Sequence, residues 1–231
     1  MPWRTTMADQ APPIDLTQYR TLIFDCDGVI LNSNPIKTEA FYQAALPYGE
    51  DAARALRAYH VRNGGISRYH KFDWLLTEVV GQSEPDPEER QALLEAYAKN
   101  VWDGMLTCEL DEAILELRKQ TPHARWMVAS GSDEQELREI FRLRGLNELF
   151  DAGIYGSPRT KEEIFSELGE TNTLLRPAVF LGDSRYDAQA AQRASFTFIF
   201  VQRWSESEAA PSEQKIESCG DLVHSLGRTH L

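Results

Sequence analysis

Four short stretches of the chain are almost continuously apolar and rich in β-branched or aromatic side chains: residues 21–24, 126–129, 178–181 and 196–201. Such short runs are typical of strands that are buried on both faces of a parallel sheet. Between them, apolar residues recur at helical spacing. Strands that alternate with helices predict an α/β fold whose core is a Rossmann-like parallel sheet with helices on both faces.

Residues 34–105 break this alternation, because their apolar positions recur only at helical spacing, in three separate stretches. We therefore predict a second, all-helical domain over 34–105. It would be inserted after the first strand of a core domain formed by 20–33 and 106–231. Residues 1–19 are mostly polar and include a pair of prolines, so they are predicted to form a flexible leader.

The net charge of the chain argues against some classes of function. With 24 basic and 36 acidic residues the formal net charge is −12, which argues against a nucleic-acid or anionic-membrane surface. It does not exclude a small anionic substrate, because a bound cation can override net charge locally. No apolar run is long enough to span a bilayer, and the N-terminus lacks the apolar region of a secretory signal. Three scattered cysteines form no disulfide or zinc pattern, so a cytoplasmic protein is predicted.

Residues that could take part in catalysis or binding lie where three of the predicted strands end. They are Asp25, Asp27, Ser130, Gly131 and Asp183. Lys161 begins a predicted helix after a glycine- and proline-containing turn at 155–158. Ligands of open α/β sheets bind beyond the carboxyl ends of the strands. We therefore expect these residues to converge on one site.

Three aspartates in one site indicate a bound cation. Asp25, Asp27 and Asp183 would repel one another and raise one another's pKa unless a cation lay among them. Oxygen ligands suit a hard ion, and Mg²⁺ usually takes one or two carboxylates and completes its shell with water and substrate phosphate. An ionised aspartate can attack a phosphoryl group, and a second aspartate can protonate the leaving alcohol and later activate water.

Phosphate binding is predicted at the end of the second strand and at Lys161. Ser130 offers a hydroxyl group, and the turn at Gly131 leads into a helix. Ser132 and Gln135 form a capping-box pattern at the start of that helix. The free N–H groups of a helix start favour an anion, and Lys161 adds a positive charge that can hold both the phosphate and the nucleophile.

The ordered segments FDCDGV, VASGS, the Lys161 region and FLGDSRYD resemble the four motifs of the haloacid dehalogenase superfamily. The most similar subgroup contains phosphatases and phosphomutases that resemble phosphoglycolate phosphatase and β-phosphoglucomutase. The likeness extends over about residues 20–202, and the first and fourth motifs are the specific ones. The helices inserted after the first strand resemble the mobile cap of these enzymes.

The resemblance implies a role for each motif residue and Mg²⁺ as the cofactor. Asp25 would be the nucleophile, and Asp27 the general acid/base and a metal ligand through its backbone carbonyl. Asp183 would be a further metal ligand. Asp187 would support the metal shell, although a favourable interaction with its helix dipole is an alternative reason for its presence. Phosphate would be bound by three residues: Ser130, Gly131 and Lys161.

Substrate choice is expected to come from the inserted helices. The stretch Gly65-Ile66-Ser67-Arg68 resembles the specificity loop of the mutase-like members, in which the arginine meets the distal end of the substrate. By analogy Arg68, next to Ser67, would form a forked pair with a second phosphate or a carboxylate; an exposed loop arginine is the alternative. Lys37 stands where the mutase-like enzymes have histidine. It would either help to bind an anionic substrate or cap its helix in solvent.

The leading interpretation is a Mg²⁺-dependent phosphatase acting on a small phosphorylated metabolite, a sugar phosphate or phosphorylated organic acid, through an aspartyl-phosphate. One alternative is a phosphomutase of the β-phosphoglucomutase type, which Lys37 disfavours. Another is a non-catalytic binding protein on the same scaffold, although a binder has no need of both Asp25 and Asp27. Cys26, between them, is predicted to point away from the site as a buried structural thiol.

Overall fold

The computed structural model describes residues 14–207, residue 212 and residues 214–228. In this part of the chain six strands form one parallel sheet: β1 Thr21–Phe24, β2 Arg125–Asp133, β3 Ile154–Ser157, β4 Ala178–Gly182, β5 Thr197–Val201 and β6 Lys215–Ile216. Their order across the sheet is β3-β2-β1-β4-β5-β6. Because β1 lies between β2 and β4 and all three are parallel, their carboxyl ends lie side by side at one edge.

The four strands predicted from apolar stretches are confirmed as β1, β2, β4 and β5. The turn predicted at 155–158 is wrong, because Tyr155 and Ser157 belong to β3 and pair with β2. Gly156 permits this pairing, since a Cβ there would lie 2.4 Å from the carbonyl oxygen of Ser132. The edge strand β6 has two residues, too few to leave a pattern in the sequence.

The helices of the described residues are α1 Asn34–Ala45, α2 Glu50–Arg62, α3 Arg68–Trp74, α4 Pro87–Thr107, α5 Ala113–Gln120, α6 Glu134–Leu143, α7 Lys161–Glu170, α8 Arg185–Arg193 and α9 Cys219–Arg228. No helix among them is long and apolar enough to cross a bilayer. Side chains of β1 alternate between two apolar layers. Leu22 and Phe24 join the layer that includes α5, α6 and α9, and Ile23 joins the layer that includes α7 and α8. Helices therefore cover both faces of the sheet, as predicted.

The segment between β1 and α5 contains helices and no strand, as its pattern predicts. Helices α1 to α4 pack around three aromatic side chains, with ring centroids 4.4 Å apart for Phe41 and Tyr97 and 5.4 Å apart for Phe41 and Phe72. These rings are continuous with the apolar layer on one face of the sheet. The division of the chain into a core and a separate domain at 34–105 stays a prediction.

The predicted leader falls partly outside the described residues, which begin at residue 14. Residues 14–19 do not behave as a flexible leader. Leu16 is fully buried in the apolar core, and the hydroxyl of Tyr19 donates a hydrogen bond to Thr197 Oγ1 at 3.1 Å. Burial of Leu16 and Tyr19 therefore anchors this segment to the core.

Candidate active site

The parallel sheet brings together polar residues that lie far apart in the sequence. The backbone N–H of Asp25, just after β1, donates to the carbonyl of Leu181 in β4 at 2.9 Å. Lys161 is the first residue of α7, and its amino group lies 3.2 Å from Asp25 Oδ1. Ser130, in the carboxyl-terminal half of β2, and Asp183, directly after β4, are buried as well. A site at this edge of the sheet therefore combines residues from three strands with a helix start.

Three buried carboxylates form one cluster, in which Asp25, Asp183 and Asp187 each place an oxygen within 4.8 Å of the other two. Burial raises the pKa of Asp25 to about 7; Lys161 opposes this rise, and Asp187 adds to it. Burial also raises the pKa of Asp183 well above its usual value, and repulsion from Asp25 and Asp187 adds to the effect. The surrounding protein therefore neutralises this cluster only in part.

The cluster fits a hard divalent cation. Its donors are carboxylate oxygens, and a cation among them would lower the pKa values that burial raises. Asp187 accepts hydrogen bonds from Lys161 Nζ through Oδ1 and from the backbone N–H and hydroxyl of Ser184 through Oδ2. Asp25 and Asp183 are therefore the carboxylates better placed as direct ligands, whereas Asp187 is held by the hydrogen bond from Lys161.

The side chain of Asp27 lies apart from this cluster and accepts hydrogen bonds from three donors. Lys37 Nζ lies 2.5 Å and Ser132 Oγ 2.9 Å from Oδ2, while Ser33 Oγ lies 2.5 Å from Oδ1. Burial alone would raise the pKa of Asp27, but the charge of Lys37 and these hydrogen bonds hold it below its usual value. The predicted trio of carboxylates is therefore corrected: Asp187, not Asp27, completes the cluster.

Lys37 is buried between the inserted helices and the sheet. Its amino group lies 2.5 Å from both Asp27 Oδ2 and Ser132 Oγ, so the alternative of a helix cap in solvent is wrong. Burial alone would lower the pKa of Lys37, but Asp27 raises it above its usual value. The lysine therefore remains charged beside Asp27, and its proposed contact with substrate stays a prediction.

The helix after β2 is capped by a different residue from the one that the sequence pattern indicates. Asp133 is the N-cap of α6, and its Oδ1 accepts from the backbone N–H groups of Gln135 and Glu136 at 3.0 and 3.1 Å. The predicted capping box at Ser132 is wrong because the Asp133 carboxylate takes that position. Ser132 donates instead to Asp27, and its backbone N–H donates to Ser130 Oγ at 3.1 Å.

Two glycines allow separate segments to approach the site closely. Gly28 has a φ of +76°, and a Cβ there would lie 2.0 Å from Asp183 Oδ2. A Cβ on Gly131 would lie 2.4 Å from the carbonyl oxygen of Gly65, in the loop before α3. Larger residues at these positions would push apart the ends of β1 and β4, or move the inserted helices away from β2.

Lys161 is enclosed by opposite charges and aromatic rings. Besides Asp25, its amino group makes a short hydrogen bond to Asp187 Oδ1. Burial alone would lower the pKa of Lys161, but Asp187 and Asp25 raise it above its usual value. The site therefore contains a permanent positive charge next to the predicted nucleophile, where the sequence places a phosphate-binding group.

Arg68 is engaged by the protein itself. Its Nη1 and Nη2 donate to the two carboxylate oxygens of Glu136 in α6 at 2.7 and 2.8 Å. The arginine is 7% exposed, so the alternative of an exposed loop residue is wrong. Ser67 Oγ accepts from the backbone N–H of Tyr69 at 3.3 Å and caps α3. Contacts of Arg68 and Ser67 with substrate stay predictions.

Several residues that line the site are not evident from the sequence motifs. Asn34 donates to Asp183 Oδ2 at 2.7 Å, and Glu136 binds Arg68. Lys71 lies three residues after Arg68, so helical spacing places both on one face of α3. That spacing is a signal in the sequence, whereas nothing in it indicates the contact with Glu136. Cys26 is fully buried in the apolar core, as predicted.

Comparisons with known proteins agree with this geometry. The sequence model of haloacid dehalogenase-like hydrolases matches residues 19–195. A phosphoglycolate phosphatase from Pectobacterium atrosepticum is 25% identical over an alignment of 228 residues, which covers 93% of this chain and 95% of the relative. A structure from Clostridium acetobutylicum, provisionally described as a phosphatase, has a TM-score of 0.69 at 18% identity and covers 91% of this chain and 99% of its own. A structure from Bacteroides vulgatus, provisionally described as a β-phosphoglucomutase, has a TM-score of 0.69 at 16% identity. The match covers 90% of this chain and 89% of that structure's chain.

Proposed function

This chain belongs to the haloacid dehalogenase-like hydrolase family, and we propose that it is a Mg²⁺-dependent phosphatase that acts on a small phosphorylated metabolite through an aspartyl-phosphate. The substrate would be a sugar phosphate or a phosphorylated organic acid. One observation carries the proposal: the buried carboxylate of Asp25 lies beside Lys161 and within 4.8 Å of Asp183 and Asp187. Transfer of a phosphoryl group uses a nucleophile, a cation and a buried lysine together. The phosphoglycolate phosphatase relative supports the same class.

The first chemical step forms the aspartyl-phosphate. An oxygen of Asp25 attacks phosphorus, and the bond between phosphorus and the leaving oxygen breaks. That oxygen takes a proton from the carboxyl group of Asp27, so the alcohol leaves neutral. Asp27 becomes a carboxylate, which the hydrogen bonds from Lys37, Ser33 and Ser132 stabilise.

The second step uses the same two aspartates in reverse roles. The carboxylate of Asp27 takes a proton from a water molecule, whose oxygen attacks phosphorus. The bond between phosphorus and Asp25 breaks, inorganic phosphate leaves, and both side chains return to their starting states. The hydrogen bonds to Asp27 hold it in one orientation for both proton transfers.

Phosphate and cation would be held at the ends of the strands. Ser130 and Gly131 would donate to phosphoryl oxygens, and the charge of Lys161 would offset the charge that develops on them. Asp25 and Asp183 would hold Mg²⁺ through their side chains, and Asp27 through its backbone carbonyl. When bound, the ion neutralises the carboxylate cluster and withdraws charge from the phosphoryl oxygens.

The inserted helices would act as a cap domain over 34–105, with 20–33 and 106–231 as the core. Cap and core residues line one common cavity that includes Asp25 and Asp27. In this proposal Ser67 and Arg68 influence substrate choice by fixing the loop before α3 over β2. The cysteines at 26, 108 and 219 are all free, which supports the proposed cytoplasmic location.

The proposal predicts release of inorganic phosphate that requires Mg²⁺. A panel of small phosphomonoesters and a generic aryl phosphate would be incubated with the protein, with Mg²⁺ or with a chelator. Removing the ion is expected to reduce turnover by at least about 100-fold, since the carboxylate cluster then loses its counter-charge. Phosphate is measured directly, and sugar phosphates are examined for isomerisation.

The products separate the three functions. Inorganic phosphate supports the phosphatase. An isomerised sugar phosphate without phosphate release would identify a phosphomutase. Binding of phosphate esters without turnover of any member of the panel, in the presence of Mg²⁺, would indicate a non-catalytic protein.

Lys37 is expected to set the pH dependence of the first step. Since its charge helps to hold the pKa of Asp27 below the usual value, Lys37→Met should raise that pKa. The acid form of Asp27 would then persist to higher pH, so the limb of the pH profile of kcat/KM that reports Asp27 should move to higher pH. Lys37→Arg keeps the charge and should move it less. A pH profile of kcat/KM that is unchanged in Lys37→Met would contradict the assignment of Asp27 as general acid.

A further inference from the structure

The inserted helices supply an unusual pair of side chains to the wall of the catalytic cavity. This cavity measures about 60 Å³ and is lined by Asp25 and Asp183 on the side of the sheet and by His60 and Lys71 on the side of the inserted helices. Because about 10–15 Å³ of such volume holds one water molecule, the cavity admits only a small substrate. A short substrate that has its phosphate at Asp25 would therefore place its other end near the inserted helices.

Lys71 differs from the other cations around the cavity. Lys37, Arg68 and Lys161 each form an ion pair with a carboxylate of the protein. Lys71 is 2% exposed, and it forms no ion pair with any carboxylate in the described part of the chain. Its amino group contacts His60 Nδ1 at 2.8 Å and lies 5.2 Å from the centre of the Phe41 ring. A buried ammonium without a carboxylate is costly.

His60 adds a second unsatisfied donor. When Lys71 donates to Nδ1, that nitrogen acts as an acceptor, so the ring proton resides on Nε2. Nε2 is buried and has no hydrogen-bond partner among the described residues. The ammonium of Lys71 has three N–H groups, of which His60 accepts one. The pair therefore presents several unused donors and one positive charge without an ion-pair partner among the described residues.

We propose that Lys71, oriented by His60, binds a carboxylate at the end of the substrate opposite the phosphate. This inference rests on the proposed phosphatase function and names the chemical class of its substrate: a short phosphomonoester that ends in a carboxylic acid. A carboxylate carries the single negative charge that one unpaired lysine can balance. A second phosphate would bring up to two charges to a cavity that already contains the aspartates.

Arg68 is less suited to this role. Glu136 accepts from both of its terminal nitrogens and neutralises its charge. Burial lowers the pKa of Lys71 to about 7, and the nearby charge of Lys37 adds to this effect. A carboxylate bound at Lys71 would raise this pKa and stabilise the ammonium. The ligand would therefore supply the ion-pair partner that the protein does not.

The test compares substrates that differ only at one end. Phosphomonoesters of two to four carbons that end in a carboxylate are matched with the same chains that end in a primary alcohol. The wild type should favour the carboxylate series in kcat/KM. Lys71→Met should reduce this preference by at least about tenfold, mainly through KM, because a hydrogen bond to a charged group is lost. Lys71→Arg, which keeps the charge, should retain part of the preference.

Several controls separate the possible results. Lys99→Met removes an exposed lysine of α4 and should leave both activity and preference unchanged. Thermal unfolding and aryl phosphate turnover verify that each Lys71 variant is folded. An active wild type with no preference for carboxylate, or a preference that survives Lys71→Met, would overturn the inference and leave the phosphatase proposal standing. A wild type inactive on every ester overturns both.

Discussion

Asp25→Asn is expected to reduce phosphatase turnover by at least about 10⁴-fold while the protein remains folded. The amide oxygen of asparagine carries no full negative charge, so it cannot form the aspartyl-phosphate. No other carboxylate of the cluster is placed to replace it. Asp183 accepts from Asn34 and would hold the cation, and Asp187 is bound by Lys161 and Ser184. Turnover of a generic aryl phosphate with Mg²⁺ is the measurement, since it depends least on the inserted helices.

The same variant should not lose stability in the absence of metal. The pKa of Asp25 is raised to about 7 in the folded protein, above its usual 3.8, so the folded state is penalised as pH rises through this interval. Asparagine removes that penalty. With a chelator present, Asp25→Asn should therefore unfold at a higher temperature than the wild type at pH 7 to 8, and the difference should shrink towards pH 4.

Asp51→Asn is a matched control, because it makes the same change at a fully exposed carboxylate of α2. It should alter neither turnover nor unfolding temperature. Substantial aryl phosphate turnover by folded Asp25→Asn would falsify the covalent mechanism. Loss of folding in that variant would instead contradict the picture of Asp25 as a strained buried carboxylate.

The strand-end residues are predictable from the sequence because two simple regularities coincide there. Continuous apolar runs mark buried parallel strands, and the ends of neighbouring strands meet in space. Asp25 and Ser130 follow such a run directly, and Asp183 follows one after a single glycine. The strand assignments alone therefore predict that these residues lie close together. Strand β3 is not predicted from the sequence, because Gly156 and Ser157 interrupt its apolar pattern.

Contacts between the inserted helices and the core are not predictable in this way. Glu136 lies in the first turn of α6, where the helix dipole already explains an acidic residue. Nothing in the sequence therefore indicates that it pairs with Arg68. The same is true of Lys37, whose burial depends on how α1 sits over β2. One-dimensional patterns specify elements, but the relative placement of two packed units depends on many side-chain contacts at once.

Lys161→Met is expected to destabilise the protein by about 3–5 kcal/mol at pH 8, because it leaves buried carboxylates without their positive partner. Lys161 is 1% exposed and pairs with both Asp25 and Asp187. Without it, the pKa of Asp25 in the folded state rises further above its unfolded value. The loss of stability should therefore grow with pH and be smaller at pH 5 than at pH 8.

A double-mutant cycle separates this structural role from catalysis. Asp187→Asn removes one of the carboxylates and keeps an acceptor for Ser184, so Lys161→Met combined with Asp187→Asn should recover at least about 1 kcal/mol relative to the sum of the single effects. Urea unfolding with a chelator present measures the cycle, and Lys119→Met, at an exposed lysine of α5, should have no effect. The double variant should nevertheless stay inactive, because the charge beside Asp25 is missing. Simple additivity would show that Lys161 and Asp187 do not compensate each other's charge, and recovered activity would remove Lys161 from phosphate binding.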